Sequence, residues 1–230
     1  MHLIDEEYTC HPFYGSRRIT AALNRAGHPV NRKRVVRLMQ MMGIAAIYPE
    51  PHLSPNAGQH RVYPYLLRGV RIDHVNQVWS TDITYVRLQG GFAYLVAIMD
   101  WFSRYVLSYA LSTTLDHHFC LQALEDALGI ATAEIFNSDQ GSQFTAEPYT
   151  SRLEQAQIRI SMDGRGRALD NVFIERLWRS VKYEDIYPKA YESPRMALAG
   201  LSNYFTFYNT QRPHQALDYR TPAEVFHARG

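Results

Sequence analysis

Three acidic residues stand where side-chain preference gives them little reason to be. Asp82 lies inside the β-branched and aromatic run Trp79-Ser80-Thr81-Asp82-Ile83-Thr84-Tyr85, although aspartate is disfavoured in strands and an unpaired buried carboxylate is costly. Read alone, an edge-strand aspartate facing solvent is the plain alternative. Asp139 ends the next strand-like run in Asn137-Ser138-Asp139-Gln140-Gly141-Ser142. An aspartate just ahead of a glycine is also ordinary turn chemistry, yet ligands of α/β proteins gather beyond the carboxyl ends of strands. Glu175 falls on a helical stretch, Asn171-Val172-Phe173-Ile174-Glu175-Arg176-Leu177-Trp178, with Arg179 and Lys182 on the same face at i+4 and i+7. A solvated face, or an i,i+4 ion pair worth a few tenths of a kcal/mol, is the alternative there. It leaves unexplained the cationic, glycine-rich loop Asp163-Gly164-Arg165-Gly166-Arg167 just upstream.

Taken together, the three acids suit hard divalent cations. Mg²⁺ and Mn²⁺ prefer carboxylate oxygen and keep several waters, so few protein ligands suffice. Two such ions about 4 Å apart would activate the attacking oxygen and stabilise the leaving oxygen of an in-line phosphoryl displacement. Without metal, the like charges raise one another's pKa. No general-base histidine is required, and none stands beside these acids in the sequence.

The elements that must position them follow from pattern. Ser16 can cap a helix running to Ala26, which Gly27 stops. Asn31 can cap a second helix with Val35, Val36, Leu38, Met39 and Met42 as its apolar face, ended by Gly43. Joined by a Gly-His-Pro turn, the two make a helix-turn-helix-like unit over residues 1–47. Prolines 49, 51, 55 and 64 mark residues 48–75 as a connector. Val78–Leu88, Phe92–Asp100 and Arg104–Leu111 read as strands, with Gly90-Gly91 as a hairpin turn. Thr113-x-x-Asp116 reads as a capping box opening a helix to Gly129. Strand, helix and strand follow over Glu134–Asn137, Ala146–Ala156 and Gln157–Ser161. A helix Asn171–Tyr183 is capped by Asp170, and another spans Pro194–Tyr208. Three strands, helix, strand, helix, strand, helix is an α/β order with an antiparallel part and helical crossovers. Trp79 and Trp178 read as core residues. The stretch Tyr204–Tyr208 also reads as core, with base stacking as the alternative.

Composition excludes several classes. In 230 residues, 24 Lys+Arg against 22 Asp+Glu leave a charge of only +2, so nucleic-acid binding must come from local clustering. A hydrophobic content of 46% supports a core. Two cysteines, Cys10 and Cys120, make no disulfide framework, and no Cys-x-x-Cys pair suggests a zinc ribbon. The acidic start lacks the order of a signal peptide, and the longest apolar run, Phe92–Met99, is too short to span a membrane. The chain therefore reads as a soluble protein of a reducing compartment.

The words around the acids carry a resemblance. Between Asp82 and Asp139 lie 56 residues, and between Asp139 and Glu175 lie 35; the second gap is similar to that of the D-D-E transposases of the retroviral-integrase superfamily. Val78-Trp79-Ser80-Thr81-Asp82-Ile83-Thr84-Tyr85, Ser138-Asp139-Gln140-Gly141-Ser142-Gln143-Phe144 and Asp170-Asn171-x-x-x-Glu175-Arg176-x-Trp178 resemble the OrfB-type transposases of bacterial insertion sequences. Tyr14-Gly15-x-Arg17-Arg18-Ile19 resembles their N-terminal helix-turn-helix. Tyr208-Asn209-x-x-Arg212-Pro213-His214-x-x-Leu217 with Thr221-Pro222-Ala223-Glu224 resembles their C-terminal end. The resemblance implies an RNase H-like core, residues 76–186, with a mixed five-stranded sheet flanked by helices and a helical extension over 187–230. It implies Asp82, Asp139 and Glu175 as catalytic ligands of two Mg²⁺ or Mn²⁺ ions. Its activity would be cleavage at element ends followed by 3′-OH strand transfer. It also implies terminal inverted repeats and target DNA as partners, a homo-multimer on DNA, a cytoplasmic, nucleoid-associated location, and no membrane. Similar proteins carry more chain before the Tyr14 word and often act with an upstream-frame product. The zinc-binding His/Cys module of retroviral integrases is missing; His117-His118 near Cys120 read as helix residues. A nuclease that only cuts and a silent DNA-binding relic are the alternatives.

DNA contacts are expected in two clusters. Arg32, Lys33 and Arg34 crowd the first turn of the second helix, with Arg37 one turn on and Arg17 and Arg18 nearby. Cations there oppose the helix dipole by roughly 0.3–1 kcal/mol each, a repulsion that phosphate relieves; a solvated basic face is the alternative. Arg165, Arg167, Arg179 and Lys182 form the second cluster, and Lys182 matches a position that contacts element-end DNA in the superfamily.

Overall fold

The β-branched, aromatic and apolar runs Val78–Leu88 and Gly91–Asp100 make the two longest strands, β1 and β2, paired antiparallel across the two-residue turn Gln89-Gly90. The turn sits one residue earlier than Gly90-Gly91, because Gly91 already pairs with Leu88. The computed structural model describes residues 1–46, 63–163 and 171–228. Most of the proline-marked stretch, Arg165, Arg167 and the expected cap Asp170 lie outside them. The chain divides into two compact units, Met1–Ala57 and Gly58–Gly230.

In the first unit, α1 (His2–Cys10), α2 (Ser16–Arg25) and α3 (Arg32–Met41) pack around Ile4, Ile19, Leu23, Val35 and Met39. The acidic start is thus a helix that the sequence pattern did not announce, tied in by buried Ile4. Gly15, not Ser16, is the cap of α2, and it makes no side-chain bond. Asn31 caps α3 as expected, accepting the Lys33 N–H at 2.8 Å. Val36 stays outside the core.

In the second unit, β3 (Val106–Ser112), α4 (His118–Leu128), β4 (Ile135–Ser138), α5 (Ser142–Thr145), α6 (Glu147–Gln155), β5 (Arg159–Met162) and α7 (Val172–Val181) follow β1 and β2. A π-helical turn, Lys182–Ile186, then leads into α8 (Tyr187–Lys189), α9 (Pro194–Thr210), a 3₁₀ turn and α10 (Pro222–Phe226). The sheet order is β3-β2-β1-β4-β5, with β1–β4 and β4–β5 parallel and the rest antiparallel. This is the mixed five-stranded sheet flanked by helices that the resemblance implied. Val96 and Ile98 face α4 and α6 on one side; Leu95, Ala97 and Met99 face α7 and α9 on the other, as a period of two requires.

Three local expectations fail for physical reasons. The Thr113/Asp116 capping box does not form: Asp116 accepts the Thr114 hydroxyl and the His118 N–H, so the helix begins only at His118. The continuous helix to Tyr183 gives way at Lys182 to the π turn, which buries Asp185 and Ile186. Arg104 is no strand residue; it turns the chain between β2 and β3 at a φ of 63°. Cys10 is exposed, Cys120 is buried, and both are free thiols. His118 and Cys120 are residues of α4. No helix among the described residues is long and apolar enough to cross a membrane.

Candidate active site

The parallel register of β1 and β4 is what sets two of the acids side by side. Ser80 pairs with Asn137; Asp82 stands two residues further along β1, and Asp139 is the first residue beyond the end of β4. β1 is the central strand, so the edge-strand alternative for Asp82 is excluded. The third acid arrives on α7. Asn171, at the N-terminus of α7, donates its side-chain amide to the Thr81 carbonyl at 3.2 Å, pinning the helix start beside Asp82. One helical turn later comes Glu175, exposed on the helix surface.

Asp82 is the hub. Its Oδ2 accepts the indole N–H of Trp178 at 2.9 Å. Burial lifts its carboxyl to about 6; the Trp178 and Ile83 N–H groups oppose that rise, and the negative charges of Asp139 and Glu175 add to it. Asp139 is exposed on one side and packed against protein on the other, and this partial loss of water raises its pKa against the pull of the Gly141 N–H. That N–H reaches Asp139 Oδ1 at 2.9 Å. A Cβ on Gly141 would lie 2.8 Å from the same oxygen, so only glycine lets the carboxylate lie against the backbone. Behind it, Asn137 and Gln140 hold Asp163 at the end of β5.

The donor set is chemically right for a hard cation: three carboxylates, one of them partly buried and raised chiefly by that burial. None of the ion pairs among the described residues involves these acids. What unites them is electrostatic coupling; among the described residues no three such side chains close into a metal-gripping cluster.

Arg179 and Lys182 share α7 and its continuation with Glu175. The i,i+4 ion pair between Glu175 and Arg179 is not made, and both side chains are exposed. Arg17, Arg18, Arg32, Lys33, Arg34 and Arg37 belong to the first unit and are all exposed. Arg18 lies over the Tyr14 ring at 5.5 Å, and Arg32 leans toward Ser16.

Three residues of the site escaped the sequence reading. Trp178 is buried as expected of core, but its N–H is spent on Asp82. A buried indole needs an acceptor, and its place three residues after Glu175 was the available signal. Asn171 and Gly141 likewise stood in the motifs without a role. The C-terminal words prove structural. Asn209 bridges the N–H and C=O of Val106 at 3.0 and 2.9 Å. Arg212 grips Glu184 of the π turn with Nε and Nη2, and Tyr204 also donates to Glu184. Tyr204, Phe205 and Tyr208 are core, as read.

Comparison with known proteins adds to this geometry. Residues 73–168 and 156–222 match models described as integrase core domain, and residues 1–52 match an HTH-like domain. The transposase for insertion sequence element IS904 of Lactococcus lactis is 32% identical over 219 residues, covering 92% of this chain and 86% of the relative. The transposase for IS629 of Shigella sonnei is 29% identical, covering 94% and 74%. Among solved structures, the HTLV-2 integrase catalytic core domain in complex with magnesium superposes with a TM-score of 0.57 at 16% identity, over 69% of this chain and all of that one. A chain of the simian T-cell lymphotropic virus intasome in complex with the PP2A regulatory subunit B56 gamma gives 0.62 at 16% identity, over 98% of this chain and 75% of that one. At such identities these two likenesses speak for the fold.

Proposed function

Because the chain belongs to the insertion-sequence transposases that carry an integrase core domain, we propose that it cuts DNA at the ends of its element and joins the freed 3′-hydroxyl to target DNA, with Asp82, Asp139 and Glu175 as its catalytic carboxylates. In the first step water displaces the 3′ oxygen from a phosphodiester; in the second the new 3′-hydroxyl displaces another. Each step makes one P–O bond and breaks one, so no energy donor is needed. The three acids would hold two Mg²⁺ or Mn²⁺ ions, which supply Lewis acidity at the phosphate and a more acidic attacking hydroxyl.

The chain's own residues do the positioning. Trp178 and the Gly141 N–H fix one oxygen each of Asp82 and Asp139, leaving the other oxygens for ligation. Arg179 and Lys182 neutralise phosphates beside the reacting bond, and Arg165 and Arg167, outside the described residues, are further proposed phosphate contacts. Arg17, Arg18, Arg32, Lys33, Arg34 and Arg37 bind element DNA through its phosphates, each contact steepening the salt dependence by about 0.9. Bringing two element ends together calls for a multimer, and chromosomal DNA as substrate would put the protein in the cytoplasm, at the nucleoid.

The parallel pairing of β1 with β4, which brings the end of β4 to the strand of Asp82, and the Asn171 bond that pins α7 to Thr81 support this reading most directly. Its test is a cleavage and strand-transfer assay on labelled element ends with Mg²⁺ or Mn²⁺. Asp82→Asn, Asp139→Asn and Glu175→Gln should each lose both products while still shifting DNA in a gel. Near-normal turnover by any one of them refutes its assignment. Cleavage without joining by the unaltered chain would reduce the protein to a nuclease.

A further inference from the structure

Beyond Lys182 the helix carries two aromatic rings that the core does not use. Tyr183 and Tyr187 are 68% and 53% exposed, while Tyr191, Tyr204 and Tyr208 nearby are buried to within 5%. Their rings meet edge to face at 5.4 Å. The π turn is what presents them, because it spends its inward positions on Asp185 and Ile186. Glu175, Arg179, Tyr183 and Tyr187 follow at four-residue steps, so the pair continues a stripe that begins at a proposed catalytic acid.

Charge along this stripe is unbalanced in one direction. The acids of the turn are already taken: Glu184 by Arg212, and Asp185 by Lys189 and Tyr191. Arg179 and Lys182 have no acidic partner among the described residues. Next to Tyr187 opens a cavity of about 360 Å³, floored by Leu88 and Ile186 and flanked by Arg87, a third cation without an acidic partner among the described residues. An aromatic wall from Tyr187, the apolar Leu88 and Ile186 and the cation Arg87 at the cavity, with Tyr183, Arg179 and Lys182 along the same helix, suit a flat heteroaromatic ring on an anionic backbone.

We propose that Tyr183 and Tyr187, with the cavity beside Tyr187, bind the unpaired nucleotides of a DNA end: one base enters the cavity against Tyr187, Tyr183 stacks on its neighbour, and Arg179, Lys182 and Arg87 take the phosphates. This rests on the DNA-transposase reading and gives it a single-strand subsite. Duplex bases are already stacked on one another, so only a frayed or cleaved end can supply free faces. Twelve residues of helix from Glu175 to Tyr187 span about 18 Å, which at about 3.4 Å per nucleotide puts the docked base about five nucleotides from the reacting phosphate.

The test uses the full chain with chelator present, so that no cleavage occurs. Two mixed-sequence probes are compared, a blunt hairpin duplex and the same duplex with a single-stranded overhang of more than about five nucleotides carrying 2-aminopurine. The unaltered protein should prefer the overhang and change the 2-aminopurine emission. Tyr187→Ala should cut that preference about tenfold, and the Tyr183→Ala/Tyr187→Ala pair further, with blunt-duplex affinity unchanged. Tyr187→Phe should keep it, because the ring does the stacking. Both side chains are exposed, and matched melting temperatures confirm that the variants fold. An overhang preference unchanged in the double alanine variant overturns the subsite while leaving the transposase reading intact. If that variant instead loses self-association with its DNA preference unchanged, the rings serve a protein interface and the proposal is wrong. Failure of the unaltered protein to bind either probe overturns both readings.

Discussion

The indole N–H of Trp178 donates to Asp82 Oδ2 at 2.9 Å, joining α7 to β1 across 96 positions of sequence. Glu175 precedes Trp178 by one helical turn, so the same helix carries one proposed ligand and orients another. An acid that binds metal with one oxygen needs the other held still. Asp82 is held by a rigid, buried ring, with Asn171 fixing the start of the helix on the Thr81 carbonyl.

Replacing Trp178 by Phe keeps most of the ring and removes the donor. Metal affinity should fall about 10- to 100-fold, as is typical when an outer partner of a ligand is lost. Mn²⁺ titration calorimetry on the variant reads this directly, and strand transfer should be rescued by raising Mn²⁺. A variant that melts like the unaltered chain and binds Mn²⁺ equally well would reduce Trp178 to packing.

Asp82 also sets a pH dependence of stability. Its folded-state pKa, about 6, lies above the ordinary 3.8, so the folded protein favours the protonated acid. The associated stability is fully present below pH 3.8 and is lost as pH rises through 6. At pH 8 in chelator, Asp82→Asn should therefore melt higher than the unaltered chain, by roughly 1–3 kcal/mol. At pH 3.5 the gap should close. Adding Mn²⁺ at pH 8 should stabilise the unaltered chain and not the variant. Equal melting at both pH values would show that Asp82 carries no such strain.

Gly141→Ala should act on Asp139 alone. The added methyl meets Oδ1 at 2.8 Å and must push the carboxylate off the backbone N–H. The position is in a surface loop, so melting should change little, whereas Mn²⁺ affinity and strand transfer should each drop about tenfold or more. Retention of both would mean that the carboxylate orientation does not matter.

Asn209 predicts the opposite pattern. Its side chain satisfies both backbone groups of Val106 inside the core, and Asn209→Ala leaves them unpaired at a cost of about 2–4 kcal/mol. Urea unfolding should show this loss, while the variant that remains folded should bind Mn²⁺ normally. A normal unfolding midpoint would show that the bridge between α9 and β3 is dispensable.

Much of the molecule is legible in its residues because the signals are local. The β-branched and aromatic run over β1 and the apolar run of β2 mark those strands, and Asn31 caps α3. The unusual placement and spacing of Asp82, Asp139 and Glu175 mark the proposed site before any fold is known. Local signals also compete, and then the sequence misleads: Asp116 turns to Thr114 and His118 instead of forming a box with Thr113. What only the folded chain decides is whatever depends on a distant partner. The pairing of Ser80 with Asn137 carries Asp82 beside Asp139, because a parallel register is chosen by the whole sheet. The bond from Trp178 to Asp82 exists because α7 packs across β1, and no spacing rule links those two positions. The π turn is set by Arg212, Tyr204 and Tyr191 closing on Glu184 and Asp185, and only that closure leaves Tyr183 and Tyr187 facing solvent beyond the proposed catalytic helix.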